Sequence, residues 1–164
     1  MGKLSSIRNF FGKEAPNKVN GSTIVNPVEL GDVAWHRDLD TALMASTQTG
    51  KPVFCLFQEI PGCSTCTGFG SNVLRNPALV RSIQTDFIPV AIHNNKPGRD
   101  AQVLKRYGEP SWNNPVVRFL DGDGRDILPR RDGVWTAQGI ASRMVEALCT
   151  MGLPVPEDVK RIGM

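Results

Sequence analysis

The sequence lacks several features that mark particular classes of protein. No uninterrupted apolar run reaches the ~20 residues that a membrane-spanning helix needs, so we expect no membrane span. The net charge is only +3 and the basic residues are scattered, which argues against nucleic-acid binding. The N-terminus lacks the long apolar core of a secretory signal, so the expected compartment is the cytoplasm.

Cysteine is also scarce, and only two of the four cysteines form a close pair. In a reducing cytoplasm, cysteines serve catalysis, metal binding or inert burial more often than structural disulfides. A zinc site built on the pair would need two further ligands, and the chain offers no second close pair to supply them. The pair is Cys63 and Cys66, and the scattered candidates are His36, His93, Cys55 and Cys149.

The single cysteines and His93 have simpler interpretations. Cys55 lies in an apolar run, which predicts an inert thiol in a core strand. Cys149 ends the last predicted helix and is interpreted as structural, with a peripheral redox role as the alternative. His93 follows a predicted strand and is interpreted as a solvated loop residue, with a role as a base as the alternative.

The 164 residues suit one domain with short appendages. Residues 1–30 lack clear periodicity and are predicted to form an arm that is loosely ordered or packed on the domain. The alternative is an amphipathic arm that touches a membrane through Phe10 and Phe11. The domain itself is predicted to cover residues 31–152, and residues 153–164 form a C-terminal tail without a motif.

Apolar periodicity and breaker residues predict an alternating series of helices and strands. A strand–helix–strand unit followed by a hairpin and a final helix predicts an α/β fold, with a central mixed β-sheet flanked by helices on both faces. The predicted helices lie at 38–49, from 63, from 76, at 99–107 and from 136, and the predicted strands at 53–57, 87–92, 116–120 and 126–128.

Cys63 and Cys66 fall at a strand-to-helix junction, where a C-x-x-C spacing is a cue for a thioredoxin-like redox site. Residues 35–148 resemble the thioredoxin superfamily. The likeness also rests on the lead-in 50–53 (Gly-Lys-Pro-Val) and on Asn114-Pro115, which directly precedes the strand 116–120. Because thioredoxins place a cis-proline there, the resemblance implies a cis Pro115 that faces Cys63 across a shallow groove.

Residues 60–66 carry a narrower resemblance. They are similar to bacterial thioredoxin-like proteins with a Val-Pro-Gly-selenocysteine-x-x-Thr motif, with Cys63 at the selenocysteine position. The chain departs from thioredoxin proper, which has a tryptophan before its first active cysteine and Gly-Pro between the two. It also lacks the buried acid that thioredoxin carries on the strand behind the pair, because Glu59 lies beyond that strand.

A cysteine at a helix N-terminus faces unpaired N–H groups and the positive end of the helix dipole, which stabilise a thiolate. We therefore predict that Cys63 is the exposed nucleophile and that Cys66, one turn along, is the shielded resolving cysteine. Ser64 and Thr65 supply hydroxyl donors that can tune the thiolate.

The predicted function is thiol–disulfide exchange on a protein or small disulfide, reductive in direction and without a metal or organic cofactor. The resemblance implies that Asn114 and Pro115 bind the substrate. Trp112 is assigned to the same groove, with core packing as its alternative. The alternative function is a redox-inactive or metal-binding interaction module with the same fold.

Overall fold

The computed structural model describes residues 25–164. Most of the predicted N-terminal arm, residues 1–24, lies outside the described residues. The described end of the arm forms a short 3-10 helix, Val28–Leu30, whose Glu29 and Leu30 are buried. This part of the arm is packed on the domain.

A three-stranded mixed sheet forms the centre of the domain. Strand β1 (Val53–Gln58) lies between β2 (Ile88–His93) and β3 (Val116–Leu120). It runs parallel to β2 and antiparallel to β3. Every residue of β1 is buried, which explains why residues 53–57 form a continuous apolar run and not an alternating one.

Local signals set the ends of the helices. In the first helix, the Asp38 carboxylate accepts a hydrogen bond from the Thr41 N–H, and Gly50 adopts a left-handed conformation at the C-terminus. Asn76 and Thr136 cap two other helices in the same way. The α-helices within residues 25–164 are α1 (Leu39–Thr49), α2 (Ser64–Asn72), α3 (Pro77–Thr85), α4 (Arg99–Tyr107), α5 (Ala137–Thr150) and α6 (Glu157–Gly163).

The helices cover both faces of the sheet, as predicted. Helices α1 and α4 pack on the face that carries Val53, Cys55 and Phe57. Helices α2, α3, α5 and α6 pack on the opposite face, against Phe54 and Leu56. No helix among residues 25–164 has the length and apolar character needed to cross a membrane.

The predicted strand at 126–128 is wrong. The turn forms as expected, with the Gly124 N–H bonded to the Asp121 carbonyl at 3.0 Å. Pairing with β3 then stops after a single bridge between Leu120 and Asp126, which two backbone hydrogen bonds form, from Asp121 to Arg125 and from Ile127 to Phe119. Pro129 follows two residues later and has no N–H with which to continue a ladder, so the sheet keeps three strands.

The C-terminal segment contains a helix that the sequence analysis does not predict. Helix α6 buries Val159 completely and packs against α5. Asp158 forms an ion pair with Arg81 of α3. Acidic residues in the first turn and basic residues in the last turn of α6 also suit the helix dipole.

Candidate active site

Cys63 lies at the N-cap of α2, immediately after the loop that follows β1. Its side chain is exposed, and its carbonyl accepts the first hydrogen bond of the helix, from the Thr67 N–H at 3.0 Å. The Cys66 N–H and then the Cys66 side chain stabilise the Cys63 thiolate, and together they lower the pKa of Cys63 below its ordinary value. The position therefore favours a reactive thiolate.

Cys66 lies one turn further along α2 and is fully buried. Its Sγ atom is 3.6 Å from the Sγ atom of Cys63, and both thiols are free. Burial, followed by the hydrogen bond with the Cys63 side chain, raises the pKa of Cys66 to about 11. The pair thus consists of one exposed thiol and one buried thiol within contact distance.

The two residues between the cysteines differ in their contact with Cys63. The Thr65 N–H and hydroxyl both lower the pKa of Cys63, although they contribute less than Cys66 does. Ser64 is exposed, and its carbonyl accepts a hydrogen bond from the Thr67 hydroxyl at 3.1 Å. Of the two residues between the cysteines, Thr65 is therefore the one whose contacts lower the pKa of Cys63.

A loop before β3 faces Cys63. It contains the residues predicted to bind substrate, and for that prediction we call residues 110–115 the substrate loop. The Cys63 thiol donates to Asn114 Oδ1 at 3.4 Å. Trp112 is 77% exposed, so it does not pack in the core. Pro115 is buried, and its carbonyl accepts a hydrogen bond from Trp135 Nε1 at 3.0 Å.

The expectation of a cis Pro115 is wrong. Within residues 25–164 the cis peptide bond is Ile60–Pro61, on the other side of Cys63, and the bond before Pro115 is trans. A trans bond is the default for X–Pro, because it is favoured by about 0.5–1 kcal/mol in the absence of other constraints. The contact that this loop makes with Cys63 is therefore the Asn114 side chain, and the Pro115 peptide bond is not the cis bond that the resemblance implies.

A buried acid does lie behind the pair, but it comes from the N-terminal segment. Glu29 Oε1 accepts the Gly62 N–H at 2.8 Å, directly before Cys63. Gln58, at the end of β1, donates its amide to the carbonyls of Glu29 and Cys66 at 2.9 and 3.1 Å. Neither residue was predicted to belong to the site, because Glu29 lies in the segment assigned to the arm and Gln58 lies in the predicted loop just after the strand 53–57.

Gly62 occupies a position that is closed to larger residues. A Cβ atom there would lie 2.4 Å from Cys66 Cβ and 2.5 Å from the carbonyl oxygen of Glu59. It would also lie 3.0 Å from Cys66 Sγ. The backbone before Cys63 therefore packs directly on Cys66, with Glu29 holding it from the other side.

The remaining cysteines and histidines lie outside this site. Cys55 is fully buried in β1, and burial raises the pKa of its thiol well above the ordinary range. Cys149 is exposed at the end of α5. His93 is half-buried at the end of β2, where burial and then Arg37 lower its pKa. Residues 25–164 contain no group of three or more His, Cys, Asp or Glu side chains that could hold a metal ion.

Several solved structures are similar to this fold. They include a structure described as DsbH oxidoreductase, with a TM-score of 0.56 and 16% identity, covering 91% of this chain and 100% of the other. A thioredoxin from Thermus thermophilus gives a TM-score of 0.61 and 19% identity, covering 73% of this chain and 90% of the other.

The oxidised C-terminal domain of Neisseria meningitidis DsbD gives a TM-score of 0.53 and 22% identity, covering 70% of this chain and 99% of the other. A comparison with curated proteins gave no match. The model of a family described as thioredoxin-like matches residues 34–122, which is more than half of the chain. The chain therefore belongs to the thioredoxin-like family and has its α/β fold.

Proposed function

We propose that the protein is a thiol–disulfide oxidoreductase that reduces disulfides. The observation that carries the proposal is the asymmetry of the pair. Cys63 is exposed at a helix N-terminus with a lowered pKa, whereas Cys66 is buried 3.6 Å away with a raised one. Exchange requires one accessible thiolate and one protected thiol, and this geometry supplies both.

The reaction would proceed in two exchange steps. The Cys63 thiolate attacks one sulfur of the substrate disulfide, forms a mixed disulfide and releases the other substrate sulfur as a thiolate. Cys66 then loses its proton to solvent or to the released thiolate and attacks Cys63. The second substrate thiol leaves, and the protein is left with an oxidised Cys63–Cys66 disulfide, which an external dithiol must reduce.

The surface around Cys63 favours a protein disulfide with uncharged flanks. Residues 60–68 and the substrate loop, 110–115, contain no charged residue. Trp112 presents an exposed aromatic face, and Asn114 presents an amide beside the reacting sulfur. These groups would bind a substrate peptide through apolar contacts and hydrogen bonds, while the buried Pro115 supports the loop from beneath.

Two finer assignments belong to the proposal. We place the reaction in the cytoplasm, where the thioredoxin and glutathione systems keep thiols reduced and an exchange site would act as a reductase. We also propose that residues 60–66 are the cysteine counterpart of the bacterial selenocysteine motif that they resemble. The similarity of these seven residues supports that assignment.

The experiment that tests the function is capture of the mixed disulfide. With a dithiol as reductant, the wild-type protein should reduce insulin disulfides catalytically. Cys66→Ser should lose turnover and accumulate a covalent adduct with an insulin chain, visible by mass spectrometry and released by excess dithiol. Cys149→Ser is the matched control and should retain turnover. If neither turnover nor an adduct is observed, the assignment as an enzyme is wrong, and the alternative of a redox-inactive binding module replaces it.

A further inference from the structure

We propose that Asp132 and Trp135 are positioning residues that hold Asn114 against Cys63. They belong to residues 129–135, which connect the end of the β3 hairpin to α5 and which we call the support segment. The inference rests on the proposed function, because it assigns to this segment the alignment of the substrate loop.

Two hydrogen bonds fix the substrate loop on either side of Asn114. Asn113 Nδ2 donates to Asp132 Oδ1 at 3.1 Å, and Trp135 Nε1 donates to the carbonyl of Pro115 at 3.0 Å. The residue between these two anchors is the one whose side chain accepts from the Cys63 thiol. These two anchors therefore restrict movement of the backbone at Asn114 away from Cys63.

The support segment is itself anchored to a buried ion-pair network. Glu109 is 1% exposed, and its carboxylate accepts from Arg130 through Nε at 2.6 Å and Nη2 at 2.9 Å. Arg118 donates to the same carboxylate at 2.8 Å. Arg130 also donates to Asp132 Oδ2 at 2.7 Å, so the network reaches the residue that holds Asn113.

The geometry of this network is strongly constrained. Removing one partner of a buried charge pair leaves an uncompensated charge, which is far more costly than losing a surface pair. Arg143 adds a hydrogen bond from α5 to the carbonyl of Pro129 at 2.7 Å. The support segment is thus fixed at 129, 130, 132 and 135, although much of it lies at the surface.

Pre-alignment of the substrate loop has a specific kinetic consequence. A large substrate must contact Asn114 and Trp112 while its disulfide reaches Cys63, so a loosened loop must be ordered during binding. The contacts that lower the pKa of Cys63 come chiefly from α2, so they do not depend on the loop. Loss of the anchors should therefore weaken binding of a protein disulfide and leave the intrinsic reactivity of Cys63 unchanged.

The test combines Asp132→Ala with Trp135→Phe, which removes the indole donor and keeps an aromatic ring. The Asp132 side chain is 63% exposed and Trp135 is 38% exposed, so the changes remove the link from Arg130 to Asp132 but keep the buried contacts of Glu109 with Arg118 and Arg130. We expect KM for insulin to rise about 10-fold, the order expected when a binding loop loses its preorganisation. The kcat value and the alkylation rate of Cys63 should stay within about twofold, since neither depends on loop order.

Two further measurements make the result decisive. Asp123→Ala, in the exposed hairpin turn, is the matched control and should leave KM unchanged. The heteronuclear ¹⁵N NOE of Asn114 should fall in the double variant, which reports loop order without any substrate. If the wild-type protein turns over insulin but neither KM nor the NOE changes, the positioning role is overturned. If the wild-type protein has no turnover, the proposed function fails, and the NOE alone decides the positioning role.

Discussion

Two segments meet at Cys63, namely residues 60–68, here called the α2 wall, and the substrate loop, here called the opposite wall, and different interactions hold them in place. The wall that carries the cysteines is uncharged over residues 60–68 and is fixed by backbone contacts, by Gln58 and by the single carboxylate of Glu29. The opposite wall, the substrate loop, has no charged residue of its own, but the exposed Asp132 bonds to it and connects it to an ion-pair network around Glu109. The α2 wall controls the reactivity of the Cys63 thiol, and the contacts behind the opposite wall hold the substrate loop in position.

This difference predicts how the two walls respond to change. Perturbing the α2 wall should alter the reactivity of Cys63 towards any reagent, because the stabilising N–H groups belong to the helix itself. Perturbing the substrate loop should alter the response to large substrates only. Substitutions on each wall can therefore test whether the two roles are separate.

The largest effect is expected from removing the nucleophile. Cys63→Ser should lower insulin reduction to the uncatalysed background, because Cys66 is buried and its pKa is about 11, which leaves almost no accessible thiolate at neutral pH. The measurement is the rate of insulin reduction with a dithiol as reductant. Appreciable turnover by Cys63→Ser would assign the attack to Cys66 and reverse the roles of the pair.

The next largest effect is expected in the pH dependence of alkylation of Cys63 and Cys66. The thiolate is the reacting form, so the rate rises with pH and reaches half its maximum at the pKa. For Cys63, measured in Cys66→Ser, the midpoint should lie below the ordinary value of 9.0. For Cys66, measured in Cys63→Ser, it should lie above 9.0. Iodoacetamide reacted across a pH series gives both values, and coincident midpoints would contradict the asymmetry.

A smaller effect is expected from the acid behind the α2 wall. Glu29→Ala removes the carboxylate that accepts from the partly buried Gly62 N–H, which should reduce the free energy of unfolding by about 1.5–3 kcal/mol. Glu29→Gln keeps an amide oxygen that can accept the same hydrogen bond, so its free energy of unfolding should fall by less. Urea titration measures both, with the exposed Glu146→Ala as the control. Equal stability of Glu29→Ala and Glu146→Ala would mean that the contact does not hold the loop.

The smallest effect is expected at the surface of the substrate loop. Trp112→Ala should raise KM for insulin several-fold, because an exposed aromatic side chain contributes contact area to a bound peptide. The free energy of unfolding of this variant should differ from that of the wild-type protein by less than about 0.5 kcal/mol, as expected for an exposed position. Met44→Ala, an exposed apolar residue on α1, is the control. An unchanged KM would remove Trp112 from the substrate surface.

Features that depend on short-range signals could be predicted from the sequence. Helix α1 has its cap at Asp38 and its left-handed terminator at Gly50, which both act within one turn. The position of Cys63 at the start of α2 followed from the strand, the loop and the cysteine spacing. These signals are local in the chain, so a single sequence displays them.

Features that depend on contacts between residues far apart in the sequence could not be predicted from it. Glu29 and Gly62 are 33 residues apart, and Glu109 and Arg130 are 21 apart, so nothing in the sequence shows that they meet. The isomer of Pro115 depends on its three-dimensional surroundings, and the family likeness gave the wrong answer. Helix α6 is short, and its place is fixed by burial of Val159 against the domain and not by a strong periodic pattern.

The tight packing at Gly62 restricts how this motif can be engineered. A tryptophan before the first cysteine, as in thioredoxin proper, would have to displace Cys66 or the carbonyl of Glu59, which a Cβ atom alone would already overlap. Replacing the whole motif by that of another protein would therefore displace the Cys66 thiol, independently of any effect on the redox potential. Positions 64 and 65 are exposed and half-exposed, so they form the part of the motif that can be exchanged freely when a different redox potential is wanted.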